Sequence, residues 1–319
     1  MAEWLIEQGI AEERALLVEN GAVLAARIDW PDAAGFGAVV EAKLTSRTRG
    51  AKRGTALLSN GTELLIDGLP PEASEGASIR VRITRAAIAE SGRFKRAQAR
   101  PSEDALRPAL TLAEQTGGQI VPAFPAGLWD DVFADGWSGS FAFAGGSLTV
   151  SPTPAMTLID IDGTLPPRDL AMAAVPAIAT AIRRLDLGGS IGIDFPSLSD
   201  KADRRAVDEA LGQALNGWAH ERTAMNGFGF VQLVARLERP SVLARIAYDR
   251  AGAAARLLLR RAEAVREPGA LLLTAHPVVS ARITEAWQDE LARRTGRSIH
   301  WAARDDLALD AAFAQAVAP

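Results

Sequence analysis

Cysteine is absent from this 319-residue chain. Disulfides and thiolate-held zinc are therefore excluded, and the composition suits a reducing compartment. Histidine occurs only three times, at His220, His276 and His300, far apart in the chain. A histidine-only zinc centre would need clustering that is not there, and no nucleophile-elbow motif accompanies any of the three, which disfavours a serine or cysteine hydrolase. No P-loop signature is present, and Gly145-Gly146 and Gly188-Gly189 are too short for a dinucleotide fingerprint. Residues 1–7 show neither a basic n-region nor a long apolar run, so no signal peptide is expected. No stretch approaches about 18 uninterrupted apolar residues, so no membrane partner is expected and the expected location is cytoplasmic.

Charge is present but unevenly placed. Between Lys43 and Arg100 stand twelve basic residues against five acidic ones, a local excess of seven in a chain of net charge −4. A basic block on an acidic body points to a polyanion bound by one module, although a solvated charged face has the same composition. Residues 36–100 contain four short apolar stretches separated by Arg49-Gly50, Asn60-Gly61 and Pro70-Pro71, which predicts a small all-β module. In its last strand Ile79, Val81 and Ile83 alternate with Arg80 and Arg82. Apolar side chains inward and arginines outward fit an OB-type barrel that tracks a nucleic-acid backbone. Arg80, Arg82, Arg85, Lys95 and Arg96 are its candidate phosphate contacts. The module has almost no aromatic residues, so phosphate contacts would dominate and binding would be strongly salt-dependent.

Elsewhere, Asn20-Gly21 between two apolar runs predicts a hairpin. Helices are expected over 102–116, 169–187, 199–219 and 279–295, with one long arginine-rich helix over most of 240–266 that leaves a face free for phosphates or water. Strands are expected over 140–143, 147–151, 229–234, 270–274 and, last, 298–302. Trp129, Phe133, Trp137, Phe141 and Phe143 are candidates for stacking on bases, with core packing as the plainer reading.

The chemistry concentrates in two runs, Leu158-Ile159-Asp160-Ile161-Asp162-Gly163 and Gly192-Ile193-Asp194-Phe195. Each has the pattern of a buried strand ending in carboxylate. One helix's length of chain lies between them, a strand–crossover–strand unit that makes the two strands parallel neighbours. Asp160, Asp162 and Asp194 are then expected at one sheet edge, with Asp160 and Asp162 on one face. Carboxylates gathered without compensating lysine or arginine are costly unless a cation joins them, which implies Mg²⁺ or Mn²⁺. Next to a basic barrel, such a site points to hydrolysis of RNA phosphodiesters.

The run Asp186-Leu187-Gly188-Gly189-Ser190-Ile191-Gly192-Ile193-Asp194-Phe195, with Leu158-Ile159-Asp160-Ile161-Asp162 ahead of it, resembles the catalytic core of the ribonuclease E/G family. The segment ending in Lys95-Arg96-Ala97-Gln98-Ala99-Arg100-Pro101 is similar to that family's OB-fold insert, and Thr274-Ala275-His276-Pro277 to a stretch downstream of the core. The resemblance implies an α/β fold, a ribonuclease-H-like/deoxyribonuclease-I-like mixed-sheet core with an inserted OB-fold β-barrel. It implies residues 1–35 as strands packing on the core, 36–100 as the barrel, 101–240 as the catalytic core, and 241–319 as a helical linker with a small α/β segment. It implies a metal-dependent endoribonuclease acting on single-stranded RNA, with metal on Asp160 and Asp194 and Asp162 as third ligand or water-orienting base. The alternatives are a non-catalytic RNA-binding protein on the same scaffold and a phosphatase of small esters. Departures are visible. The family usually has Asn where Asp162 stands, and an acidic and basic run where Gln232 and Arg236 stand. Its Cys-Pro-x-Cys link has no counterpart near Tyr248-Asp249-Arg250, so no zinc-linked dimer is implied. Only the stretch between Gly117 and Met156 is left for its 5′-phosphate-sensing domain.

Overall fold

In the computed structural model, which describes residues 1–318 except Ala33, Ser91 and Gly92, the chain opens with an antiparallel meander. Its strands are β1 (Glu3–Gly9), β2 (Glu12–Glu19) and β3 (Ala22–Asp29). Asn20 and Gly21 turn the chain between β2 and β3, both at positive φ (51° and 79°), as a type I′ hairpin turn requires.

Five strands then close a barrel: β4 (Val39–Arg47), β5 (Arg53–Leu57), β6 (Glu63–Asp67), β7 (Ser78–Arg85) and, after a two-stranded ribbon of β8 (Ile88–Glu90) and β9 (Arg93–Lys95), β10 (Ala97–Pro101). The order is β10-β6-β5-β4-β7, with β10 parallel to β6 and antiparallel to β7. This OB-like closure leaves no free sheet edge. The interior is narrow and filled by Ala42, Leu44, Ala56, Leu64, Ile66, Val81, Ile83, Ala97 and Ala99. Gly54 is needed where β5 crosses β4, since a Cβ there would stand 2.3 Å from the Ser46 carbonyl oxygen.

The helix expected over 102–116 shrinks to α1 (Leu112–Thr116). Pro108 lacks an N–H and pushes Arg107 toward extended backbone, so no helix passes through it. Thr111 and Glu114 form a capping box at the new start. β11 (Gln119–Val121) joins the first sheet parallel to β1. α2 (Leu128–Ser138) was not expected; its N-cap is Gly127 with no side-chain cap, so the sequence carries no start signal there. Its Trp129 and Phe133, and Phe141 of the next strand, are buried, and Trp137 and Phe143 pack against the same core. All five therefore pack in or against the core, the plainer reading of their pattern.

The central sheet has six strands, β12 (Ser140–Phe143), β13 (Gly146–Pro152), β14 (Thr157–Gly163), β15 (Gly189–Asp194), β16 (His220–Arg222) and β17 (Phe230–Ala235), in the order β12-β13-β14-β15-β17-β16. Between β14 and β15 runs α3 (Pro167–Arg184), and after β15 comes α4 (Lys201–Ala214), shorter than expected and capped by Asp200. α3 buries Leu170, Ala174, Val175, Ile178 and Ile182, and packs between the central sheet and β3. One face of the central sheet is thus covered by α3, and the other carries its polar side chains.

The expected long helix is two, α5 (Val242–Tyr248) and α6 (Arg250–Glu263). Asp249 breaks it with φ −142° and ψ 64°, and its carboxylate caps α6 through the Gly252 N–H. No arginine face is left free along it. Arg245 pairs with Asp29 at 2.5 Å, Arg250 lies over Trp137, and Arg256 lies between Trp30 and Trp287. Arg260 holds Glu7 and Asp130, and Arg261 holds the Asp310 and Ala312 carbonyls. Burial lowers the Arg256 guanidinium to about 10 and raises the Asp29 carboxyl. At the centre of this region Arg14, with its side chain 2% exposed, lies between Glu7 and Glu12. The chain ends in a three-stranded sheet of β18 (Ala270–Ala275), β19 (Ile299–Ala303) and β20 (Phe313–Val317), with β20 beyond the strand taken as last. The helix expected over 279–295 is split into α7 (Pro277–Ser280) and α8 (Glu285–Thr295). Among the described residues no helix is long and apolar enough to cross a membrane.

Candidate catalytic carboxylates and nucleic-acid interface

β14 and β15 are parallel, as their spacing predicts, and their register sets Asp160 opposite Asp194. Ile159, Ile161, Ile191 and Ile193 point into the core beneath α3. The alternation of a strand then turns Asp160, Asp162 and Asp194 to the open face, where all three are exposed. Register partners on neighbouring strands have backbones about 4.8 Å apart, close enough for two carboxylates to share one ion. The row continues on both sides, with Ser140 and Thr149 beyond Asp160 and Phe230 beyond Asp194. No hydrogen bond or ion pair to a described residue engages any of the three carboxylates. Gln232, two residues along from Phe230, donates to Ser190 Oγ at 3.2 Å.

Asp162 departs from expectation. β15 ends at Asp194, so Asp162 faces Ser147 of β13 and has no partner on β15. It lies two residues, about 6.6 Å, farther along β14. Among the described residues no three His, Cys, Asp or Glu side chains gather as a metal site. The arrangement is a pair with a third acid set apart. A pair is enough for Mg²⁺, which is held by one or two carboxylates and completes its shell with water and substrate phosphate oxygens. The donor set therefore fits a hard cation at Asp160 and Asp194.

Cations also border this edge. Arg168, at the start of α3, is tied to Asp203 at 2.8 Å. Arg204 donates to the carbonyls of Leu198 and Ser199, holding the loop after β15. Lys201 is exposed at the first position of α4, seven residues past Asp194. It was not singled out from sequence, although a helix start just after an acid-tipped strand is a usable signal.

The five barrel cations fall into two groups. Arg80 and Arg82 point outward from β7, as their alternation predicts, but Arg80 lies 3.8 Å from Glu41 and Arg82 pairs with Asp104. Hydrogen bonds from Ser102 and Arg82 hold the Asp104 carboxyl below its ordinary value. Arg85 and Arg96 lie where the ribbon leaves the barrel. Arg85 donates to the Arg96 carbonyl at 2.8 Å and Arg96 pairs with Glu63 at 2.8 Å. Lys95, on β9, lines a narrow cleft with Met156, Thr157, Gly189 and Ser190. The ribbon thus meets the beginning of β14 and β15, and the carboxylates stand at their far ends. From Thr157 to Asp160 is three residues, about 10 Å.

Comparison with known proteins bears on the same strands. Residues 142–236 match the model of the Ribonuclease E/G family, a span from β12 to just past β17 that includes both paired carboxylates. Ribonuclease G of Salmonella typhimurium (strain SL1344) is 35% identical over 113 residues, covering 31% of this chain and 22% of that protein. Ribonuclease G of Escherichia coli (strain K12) is 34% identical over 113 residues with the same coverage, as is that of Shigella flexneri. The match spans about a fifth of the length of these relatives.

Proposed function

Starting from the ribonuclease E/G character of residues 142–236, we propose that this protein is a metal-dependent endoribonuclease that hydrolyses phosphodiester bonds of single-stranded RNA. The observation that carries this reading is the Asp160–Asp194 pair, opposite in register on the open face inside the matched span. The two carboxylates would hold Mg²⁺ or Mn²⁺. When bound, such an ion supplies charge stabilisation at a phosphoryl oxygen and lowers the pKa of water. Asp162, exposed and without an ion-pair partner among the described residues, would orient the attacking water and accept its proton. The mixed sheets would then form the ribonuclease-H-like/deoxyribonuclease-I-like core that the resemblance implies, with the closed barrel as its OB-fold insert.

Arg80, Arg82, Arg85, Lys95 and Arg96 would hold RNA phosphates. The present partners of Arg80, Arg82 and Arg96 are exposed ion pairs that contribute little to stability, so phosphate can replace them at small cost. Single-strand binding loses about 0.7 in the log K against log salt slope for each contact removed. Arg80→Ala with Arg82→Ala should therefore flatten the slope by about 1.4. An unchanged slope in a filter-binding titration would remove both from the interface.

One observation favours a second reading, an RNA-binding protein without cleavage: Gln232 is neutral where the family resemblance expects an acid. End-labelled single-stranded RNA incubated with Mg²⁺, with Mn²⁺ and with EDTA separates the two. The first reading expects fragments in both metals and none in EDTA. RNA bound but intact in all three would establish the second.

A further inference from the structure

Phe228 is 82% exposed, more than any other large apolar side chain of the described residues except the terminal Met1. A phenyl ring left in water on a loop tip usually sits on a mobile backbone, but the backbone of this loop is anchored at Asn226, Phe228 and Gly229. Asn226 Oδ1 accepts from the Phe228 and Phe230 N–H groups at 2.9 and 3.0 Å. The Gly229 N–H donates to the Asn226 carbonyl at 3.2 Å. Gly229 takes φ 89°, and a Cβ there would lie 2.4 Å from the Phe195 carbonyl oxygen, so the turn closes on the strand beside it. The Gly229 carbonyl accepts from the Phe195 N–H at 3.2 Å, and Ser197 Oγ donates to the Phe228 carbonyl at 3.4 Å. The loop is thereby stitched to the two sides of one strand end, the residue after Asp194.

The neighbouring surface is aromatic as well. Phe230, the register partner of Asp194, lays its ring over Gly192, where a Cβ would stand 2.5 Å from Phe230 Cζ and 2.9 and 3.0 Å from Met156 and Leu158. These three side chains are half-buried and make an apolar floor directly beside the paired carboxylates. The surroundings are otherwise Ser, Thr, Gln and acid, with Lys201 nearby in the chain. An exposed ring on a backbone-anchored loop, next to an acid pair able to hold a cation and a polar rim, suits a planar, polar-edged ligand that carries a phosphate.

We propose that Phe228 is the stacking platform for the nucleobase that adjoins the scissile phosphate of a single-stranded RNA. The proposal rests on the endoribonuclease reading of Asp160 and Asp194 and adds where the strand is gripped. Phosphate at the carboxylate pair leaves the base of the same or the next nucleotide within reach of the loop. Stacking on a phenyl ring tolerates every base, because each presents a π-face. It adds a ring beside the carboxylates, whereas in the barrel module Phe36 lies under Arg239 and the exposed Phe94 sits out on the ribbon. Phe228 acts here as a positioning residue.

The test uses an oligoribonucleotide carrying a single 2-aminopurine beside the mapped cleavage position. Its fluorescence falls when the base stacks. Wild type should quench it on binding, Phe228→Ala should not, and Phe228→Trp should restore it. Under steady-state cleavage Phe228→Ala should raise KM by about 5- to 100-fold, the loss of one base stack, with kcat within about threefold. An abasic nucleotide at that position should raise the wild-type KM equally and make Phe228→Ala no worse. Quenching and KM within twofold of wild type in Phe228→Ala, while Asp194→Asn still abolishes cleavage, would overturn the platform and leave the nuclease reading standing. If wild type cuts no RNA at all, the nuclease reading fails, and an oligoribonucleotide carrying 2-aminopurine at every purine position, quenched by wild type and not by Phe228→Ala, still decides whether Phe228 stacks on a base.

Discussion

Asp194→Asn is expected to lower the single-turnover rate of RNA cleavage by at least about 10²–10³-fold, the usual loss when one preorganised charge is removed from a transition-state site. Asp160→Asn should match it, because the two face each other in one register and would serve one ion. Residues that act as a unit are not additive, so the double variant should be no slower than either single one. Both changes are isosteric and exposed, and they relieve like charges placed opposite each other on adjacent strands. Thermal stability should therefore be kept or slightly raised, and RNA affinity should stay within a few-fold. Mn²⁺ should raise the melting temperature of wild type, since a ligand of the folded state stabilises it by mass action, and should not raise that of Asp160→Asn. Asp162→Asn should act differently. Asp162 has no partner on β15, so metal-dependent melting should persist while cleavage falls. Equal cleavage by wild type and both register variants would remove the carboxylate pair from the reaction.

Arg14→Met is expected to destabilise the fold by about 3–5 kcal/mol, the cost of leaving a buried charge without its partner. The melting temperature should fall by on the order of 10 °C. Arg14 donates to Glu7 at 2.6 Å and to Glu12 at 2.7 Å, with the carboxylate side chains 7% and 4% exposed. Both acids do more than pair with it. Glu7 also accepts from the Phe124 N–H at 2.7 Å and from Arg260, and Glu12 accepts from the Trp30 indole at 2.8 Å. Removing the guanidinium leaves Glu12 buried without an ion-pair partner among the described residues and Glu7 with Arg260 alone. Adding Glu7→Gln and Glu12→Gln should recover part of the loss, because amides keep acceptors for Phe124 and Trp30 without the charge. Guanidinium-chloride unfolding of the single and triple variants gives both numbers. A loss under about 1 kcal/mol for Arg14→Met would show that the network is not what ties the first sheet to α6.

How these two sites differ in legibility follows from the range of the interactions. The carboxylate pair was legible because each step to it is local. Period-two alternation in residues 158–162 and 191–194, a crossover of one helix's length and the handedness of such units leave little freedom in where Asp160 and Asp194 point. The barrel was legible for the same reason, with turns at Arg49-Gly50 and Asn60-Gly61 and clean alternation through Arg80 and Arg82. The arginines of α5 and α6 were not legible. Whether Arg245, Arg256 and Arg260 face water or an acid depends on Asp29, Trp30 and Glu7, more than 200 positions away. α2 escaped because Gly127 offers no cap and its signal lies in Trp129 and Phe133, whose burial requires the sheet beneath them.

Phe228 shows the same limit at a single residue. Its composition-level reading is one more apolar side chain near a Gly-rich turn. Only the tertiary structure leaves it in water and stitches its loop beside Asp194. The amino-acid order by itself determined which residues could alternate, turn and cross over, and so set two acids side by side on one sheet edge, because those rules act within a few residues or one helix. The assembled fold alone decided that Asp162 lacks a partner on β15, which arginines are sequestered and that the Phe228 ring stays exposed, because burial is settled by what the rest of the chain packs against each site.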